Sequence, residues 1–409
     1  MSEGIWEMKR AFFSFVLLAF AASAVLGSGW KRIRVAVPDA AAAQRVSDCS
    51  LGLYSDFVTL GTTDLILGPG QEGELLRLML PWVVVSELPD PKDWASRYGG
   101  GAEDDYRTQY LRYDQIIAQY EVWRTQNPTR VSRQQIGTSI QGRPIWAYLL
   151  HGPRPPQIRV LPTLPSTIKV ILTAGVHARE WISPPVQMYI FEQLLERSKV
   201  DYEYAVLSYR TYLYVVPVQN PDGYEYTWTN NRYWRKNRRN NGNGTYGVDV
   251  NRNYAKGWGG QGSSGNTGAD TYRGTAPFSE PEAVAVRDLA IAVGNARGFV
   301  DYHSYGELVL YPWGYTTASA PDSGWLHTVG LAYRNAMTAS GGHTYTLGQT
   351  STTLYVASGV SNDWLYDQFR TAAYAVELRG TDFVLPTSQI LPTCEENWAG
   401  FDAWLRSIL

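Results

Sequence analysis

Val170-Ile171-Leu172-Thr173-Ala174-Gly175-Val176-His177-Ala178-Arg179-Glu180 is an apolar run that stops on a histidine and, three residues later, a glutamate. An uncharged stretch of this length reads as a strand buried on both faces, as inside a parallel sheet. Ser183-Pro184-Pro185 then looks like a helix start, with Ser183 capping and proline in the first turn. His177 and Glu180 therefore stand at the carboxyl end of a strand. Open α/β sheets collect their ligands and catalytic groups there. Alone, the spacing His-x-x-Glu is a weak signal, because such pairs also arise by chance on surfaces.

Two further strands end in the same way. Gly298-Phe299-Val300-Asp301-Tyr302-His303 closes on a histidine, and Ala372-Ala373-Tyr374-Ala375-Val376-Glu377 closes on a carboxylate. Three strands delivering such groups to one edge make a site. Two histidines and a glutamate, here His177, Glu180 and His303, are the ligand set of a catalytic zinc centre, with the fourth position left open for water. The other histidines, His151, His327 and His343, have no partner at ligand spacing.

The composition narrows the class. At 409 residues and a formal net charge of −2, the chain holds more than one unit and shows no basic surface for nucleic acid. Lys9-Arg10, an apolar stretch from Ala11 to Ala24 and the small residues Gly27-Ser28-Gly29 describe a secretory signal peptide over 1–28. The stretch is shorter than the roughly 20 residues of a membrane span, which favours cleavage over an anchor. The chain is therefore expected to be secreted, without stable membrane association. The 15 Trp and 28 Tyr suit a secreted protein. Cys49 and Cys394 are the only cysteines and lack metal-ligand spacing, so they read as two buried thiols rather than a bridge.

Residues 30–88 read as a small α+β unit: a strand at Lys31–Pro38, a helix at Ala40–Val46, a hairpin of Phe57–Leu60 and Asp64–Leu67 about Gly61-Thr62-Thr63, a helix at Glu72–Leu80 and a strand from Trp82. Residues 89–105, with Gly99-Gly100-Gly101 and several acids, read as a protease-accessible linker. From Tyr106 to Leu409 helices and strands alternate. Strands are expected at Ile158–Val160, Ile168–Val176 and Tyr212–Val218, and helices at Tyr110–Gln126, Val186–Arg197, Glu280–Val293 and Gln389–Leu409. That alternation implies α/β architecture: a mixed, largely parallel twisted sheet flanked by helices.

Between and beyond the ligand motifs lie Asn220-Pro221-Asp222-Gly223, Trp234-Arg235-Lys236-Asn237-Arg238, Gly247-Val248-Asp249-Val250-Asn251-Arg252-Asn253, Tyr311-Pro312-Trp313-Gly314-Tyr315, Tyr355-x-Ala357-Ser358-Gly359 and Glu377-Leu378-Arg379. In this order they resemble the zinc metallocarboxypeptidases of the carboxypeptidase A/B type, from about Tyr106 to the C-terminus. The N-terminal unit resembles that family's propeptide in position and element order, although it is shorter.

The resemblance implies one Zn²⁺ on His177, Glu180 and His303, with Glu377 as general base. Arg235 would stabilise the oxyanion, although in isolation it reads as part of the solvated run Arg232–Arg239. Arg252 would bind the substrate's free α-carboxylate, helped by Asn251 and the Tyr355 hydroxyl, since a guanidinium fork matches a carboxylate. Arg179 and Tyr305 would form a further subsite. Asp249 would orient His177 through its second ring nitrogen or else shape a turn, and Asp301 is a second candidate for orienting an imidazole.

Asn362 falls at the base of the family's specificity pocket, with Leu310, Gly314, Leu354, Val360 and Ala375 as walls. These apolar walls imply a preference for apolar or aromatic C-terminal residues, while Asn362 leaves mixed specificity open. Two features depart from animal members of the family. Thr245 and Gly268 stand where those carry a disulfide, and the same stretch holds the sequon Asn243-Gly244-Thr245. The expected partners are a peptide or protein with a free C-terminus and a protease that activates a zymogen, cutting for example after Arg97 or Arg107. The alternatives are a non-catalytic peptide-binding relative and an amidase of the same fold acting on cell-wall peptides.

Overall fold

The computed structural model describes residues 26, 29–55, 58–90, 105–155 and 166–409. Apart from Leu26, the expected signal segment lies outside them, as do linker residues 91–104 and the expected strand at 158–160. The chain divides into two units, Met1–Asp90 and Pro91–Leu409.

In the smaller unit β1 (Trp30–Val37), α1 (Ala40–Asp48), β2 (Gly52–Leu53), β3 (Gly61–Leu67), α2 (Glu72–Arg77) and β4 (Trp82–Leu88) follow one another. Their antiparallel sheet has the order β2-β3-β1-β4. Asp39 starts α1 by accepting from the Ala42 amide at 2.7 Å, the N-cap role of a short carboxylate. Alternate residues of β1, Ile33, Val35 and Val37, are buried and pack with Leu26, Val46, Leu65 and Leu75. The expected hairpin about Gly61 does not form. Gly61-Thr62-Thr63 instead opens β3, which runs antiparallel to β1 along its whole length. β-Branched threonines favour extended backbone, and β1 supplies their partner.

The larger unit contains α3 (Tyr113–Gln126), β5 (Val131–Thr138), β6 (Pro144–Leu150), β7 (Ile168–Ala174), α4 (Ser183–Val200), α5 (Tyr202–Arg210), β8 (Thr211–Val216), α6 (Pro221–Thr229), α7 (Pro281–Val293), β9 (Gly298–Ser304), β10 (Leu308–Tyr311), α8 (Ser323–Gly341), β11 (Thr346–Gln349), α9 (Thr350–Thr353), α10 (Ser361–Phe369), β12 (Ala372–Leu378) and α11 (Ile390–Ile408). The sheet order is β11-β10-β12-β9-β7-β8-β6-β5. Its central strands β12, β9, β7 and β8 are parallel, while β10 joins β12 and β6 joins β8 antiparallel. This is the mixed, largely parallel sheet that the alternation of elements implies.

Successive residues of the central strands face opposite cores, as the pleat requires. Val170 and Leu172 of β7 join one cluster with Phe191 of α4, Tyr333 of α8 and Trp404 of α11. Ile171, between them, joins the other with Val286 of α7 and Leu365 of α10. Both faces of β9 are covered, so all of its residues are buried. At its first position a Cβ would come within 2.5 Å of the Trp404 ring, and only glycine lets α11 lie so close.

Ser183 is the first residue of α4, and Ile182 holds the cap position. Ser183 Oγ instead donates to the Glu180 carbonyl at 2.9 Å and accepts from the Gly175 amide at 3.2 Å. The serine thus ties the ends of the His177–Glu180 loop together. The loop between α6 and α7 is fixed by polar contacts. Lys236 Nζ donates to the carbonyls of Thr267 and Ala269 at 3.0 and 2.8 Å, and Asn243 Nδ2 reaches Thr267 Oγ1 at 2.9 Å. The two cysteines form no disulfide with each other; Cys394 is buried as expected, whereas Cys49 is only half-buried, its Sγ 3.9 Å from the Leu51 carbonyl. Among the described residues no helix is long and apolar enough to cross a membrane.

Candidate active site

β9 lies against β7 on the side opposite β8, so a crevice opens beyond their carboxyl ends. His177 follows β7, His303 lies near the end of β9, and Glu377 sits beside His303 in the register of β12. His177 Nδ1 is 2.6 Å from Glu180 Oε1. His303 Nδ1 is 3.3 Å from Glu180 Oε2 and 3.1 Å from His177 Nδ1. The donor atoms of all three buried residues lie within 4.8 Å of one another.

Two imidazole nitrogens 3.1 Å apart cannot both present lone pairs to each other unless a proton or a metal cation lies between them. Burial and Arg235 lower the His177 imidazole, yet Glu180 and Asp249 outweigh them and lift it to about 9. The same negative surroundings attract a metal cation. Two nitrogen donors and one carboxylate oxygen fit zinc.

The far nitrogens are also held. His177 Nε2 lies 3.3 Å from Asp249 Oδ1, and His303 Nε2 lies 3.2 Å from Asp301 Oδ2. Each imidazole is thereby oriented to present Nδ1 to the centre. Asp249 also accepts from the Asn251 amide at 3.0 Å, so the turn-forming and imidazole-facing readings hold together. Asn251 Oδ1 accepts from the Ser361 amide at 2.8 Å, which fixes which end of its side chain carries the donors.

Asp249 is the hub of the charged site. Arg235 reaches its Oδ2 through Nε at 3.1 Å and Nη2 at 3.0 Å, while Arg252 Nη1 is 4.0 Å away. Burial alone would raise the Asp249 carboxyl, but Arg235, Arg252 and His177 outweigh it and hold it far below the usual carboxylate range. Arg235 is thus buried and paired, not part of a solvated run. Arg252 is set by three further contacts. Its Nε donates to the Gly262 carbonyl at 2.8 Å, its Nη1 to the Asn251 carbonyl at 2.8 Å, and its Nη2 to the Tyr355 hydroxyl.

Arg179 is buried, donates to Asp270 Oδ2 at 3.2 Å and stacks 4.1 Å above the Phe383 ring, which also lies 5.0 Å from the Tyr305 ring. Asn362 is buried near the start of α10, with Nδ2 3.5 Å from Thr350 Oγ1. Next to it Asp363 accepts from the amides of Gly314 and Tyr315 at 2.8 and 2.9 Å. The structure thus links His177, Glu180, His303, Arg235, Asn251, Arg252 and Tyr355 by direct contacts. Arg179 and Tyr305 share Phe383, and Asn362 follows Ser361. Sequence reading passed over Thr173, Ser361, Asp363 and Phe383, which carry no motif of their own.

Residues 116–400 match the model of a family described as zinc carboxypeptidase. The chain is 37% identical over 331 residues to carboxypeptidase A4 of Mus musculus, covering 78% of this chain and 76% of that protein. It is 36% identical over 293 residues to carboxypeptidase B of Bos taurus, covering 70% and 68% respectively. Among solved structures it is similar to thrombin activatable fibrinolysis inhibitor, with a TM-score of 0.79 at 26% identity over 93% of this chain and 99% of that one.

Proposed function

Because the chain belongs to the zinc carboxypeptidase family, we propose that it removes the C-terminal residue of peptides and proteins, preferring apolar or aromatic side chains. The observation that carries this reading is the Asp249 hub. One buried carboxylate sets two arginines beside a ligand imidazole, joining a hydrolytic centre to a receptor for a free carboxylate.

His177, Glu180 and His303 would hold the zinc. When bound, the metal supplies Lewis acidity for the scissile carbonyl and makes a water nucleophilic near neutral pH. Glu377 takes a proton from the attacking water and delivers one to the departing amine. Arg235 donates to the carbonyl oxygen as its negative charge grows. Arg252, Asn251 and Tyr355 bind the terminal carboxylate, whose charge distinguishes a chain end from an internal bond. Arg179 and Tyr305, around Phe383, contact residues further up the substrate. Asn362 at the pocket base offers no charge to an arginine, and burying an unpaired cation costs several kcal/mol.

The N-terminal unit then acts as a propeptide of a secreted zymogen. Its small fold and the preceding basic and apolar segment support that reading. The test is release of the last residue from blocked peptides ending in Phe, in Arg and in an amide, before and after limited proteolysis. We expect chelator-sensitive release, faster from Phe than from Arg, absent from the amide and higher after cleavage. No release from a zinc-loaded, cleaved chain would instead favour a non-catalytic peptide binder or an amidase acting on cell-wall peptides.

A further inference from the structure

Asp301 lies two residues before His303 on β9 and is completely buried. Its Oδ1 accepts from Thr173 Oγ1 at 2.7 Å, and its Oδ2 accepts from Ser361 Oγ at 2.8 Å while facing His303 Nε2 at 3.2 Å. The carboxylate behind His177 is placed differently. Asp249 is shared with Arg235 and approached by Arg252, so much of its charge is neutralised where it stands. Hydroxyls stabilise a carboxylate without cancelling its charge, and in a buried site that charge acts strongly on a neighbour 3 Å away.

We propose that Asp301 is the positioning residue of His303, and that its hydroxyl-held charge fixes how tightly the site keeps its metal. The proposal rests on the zinc reading of the site but not on the identity of the substrate. Asp301 accepts the Nε2 proton of His303, which leaves the Nδ1 lone pair directed at the centre and more basic. Thr173 on β7 and Ser361 at the head of α10 hold the acceptor from two sides. The two metal imidazoles are therefore supported unequally. Asp249 serves the metal and the arginines together, whereas Asp301 serves the metal.

The test is zinc affinity of the full chain by competition with a chromophoric chelator, which needs no turnover. Asp301→Asn keeps an oxygen that can accept from Nε2 and removes the charge. Its zinc affinity should fall about 10- to 100-fold, the range for losing such a partner. Thr173→Val and Ser361→Ala should each weaken zinc by less. The visible bands of the cobalt-substituted Asp301→Asn protein should shift. Asp249→Asn should weaken zinc and also raise KM. If Asp301→Asn does not fold, the Thr173→Val/Ser361→Ala double variant decides in its place. Wild-type zinc affinity with an unshifted cobalt spectrum in the tested variant overturns the proposal and leaves the carboxypeptidase reading standing. A wild-type chain without zinc affinity overturns both.

Discussion

At the scale of single residues, the proposed function assigns chemistry to Glu377 and recognition to Arg252. Glu377→Gln keeps the shape of the side chain but cannot take a proton, so kcat should fall by about 10²- to 10⁴-fold with zinc content unchanged. Steady-state rates with metal analysis check this, and a variant of normal kcat removes Glu377 as the base. Arg252→Lys loses the guanidinium fork while keeping the charge. Hydrogen bonds to charged groups contribute about 1.5–3 kcal/mol, so kcat/KM should drop roughly 10- to 100-fold, mainly through KM. Equal losses on free and amidated peptides would contradict the carboxylate role. The histidine ligands stood out in the sequence because histidine is scarce and theirs sit at strand ends, whereas both arginines, which lie in a loop and a short helical turn, were reached only through the family resemblance. Thr173 and Ser361 were not legible. A hydroxyl that bonds a buried carboxylate looks in sequence like any other hydroxyl, and only the sheet brings residues 173, 301 and 361 together.

At the scale of elements, α10 carries a buried titrating carboxyl, Asp363, beside Asn362. Burial pushes the Asp363 carboxyl from 3.8 up to about 7, although the amides of Gly314 and Tyr315 favour its charged form. Between about pH 4 and 7 the unfolded chain is therefore ionised at this position while the folded chain holds a proton. Stability contributed by this group is highest below pH 4 and declines as pH rises to 7, by about 4 kcal/mol at 1.36 kcal/mol per unit. Asp363→Asn removes that slope, so denaturant melts should show the variant gaining on wild type between pH 5 and pH 8. Parallel melts of constant difference would refute it.

A second element-scale test concerns the loop that supports Arg252. Gly262 has φ of +77°, and a Cβ there would sit 1.9 Å from the Val356 carbonyl oxygen. Gly262→Ala should destabilise the protein by about 1–3 kcal/mol and raise KM, because the same residue accepts from Arg252 Nε. An unchanged melting temperature and KM would disprove this. The central strands were readable as apolar runs. The β5–β6 hairpin was not, since β5 lies at the sheet edge and is mostly exposed and polar. β10 and β11, at four residues each, are too short to show a period.

At the scale of the whole molecule, order in the sheet converts distance along the chain into proximity. His177 and His303 are 126 residues apart in sequence, yet their Nδ1 atoms are 3.1 Å apart. Because the ligands come from the ends of two strands, β7 and β9, far apart in sequence, zinc should bind the folded sheet more tightly than the unfolded chain. Removing it by dialysis against chelator should lower the melting temperature, with recovery on adding zinc back. No change in melting on removal would mean that the metal adds nothing to the fold.

The Lys236 amine also bears on where such a protein can work. It spans the loop between α6 and α7 by charge and hydrogen bonding where a covalent sulfur link could have been used. No electron need enter or leave to make or break that fastening. A reductant strong enough to open disulfides therefore finds nothing to open there, and the loop beside Arg235 should keep its shape in thiol-rich and oxidising surroundings alike.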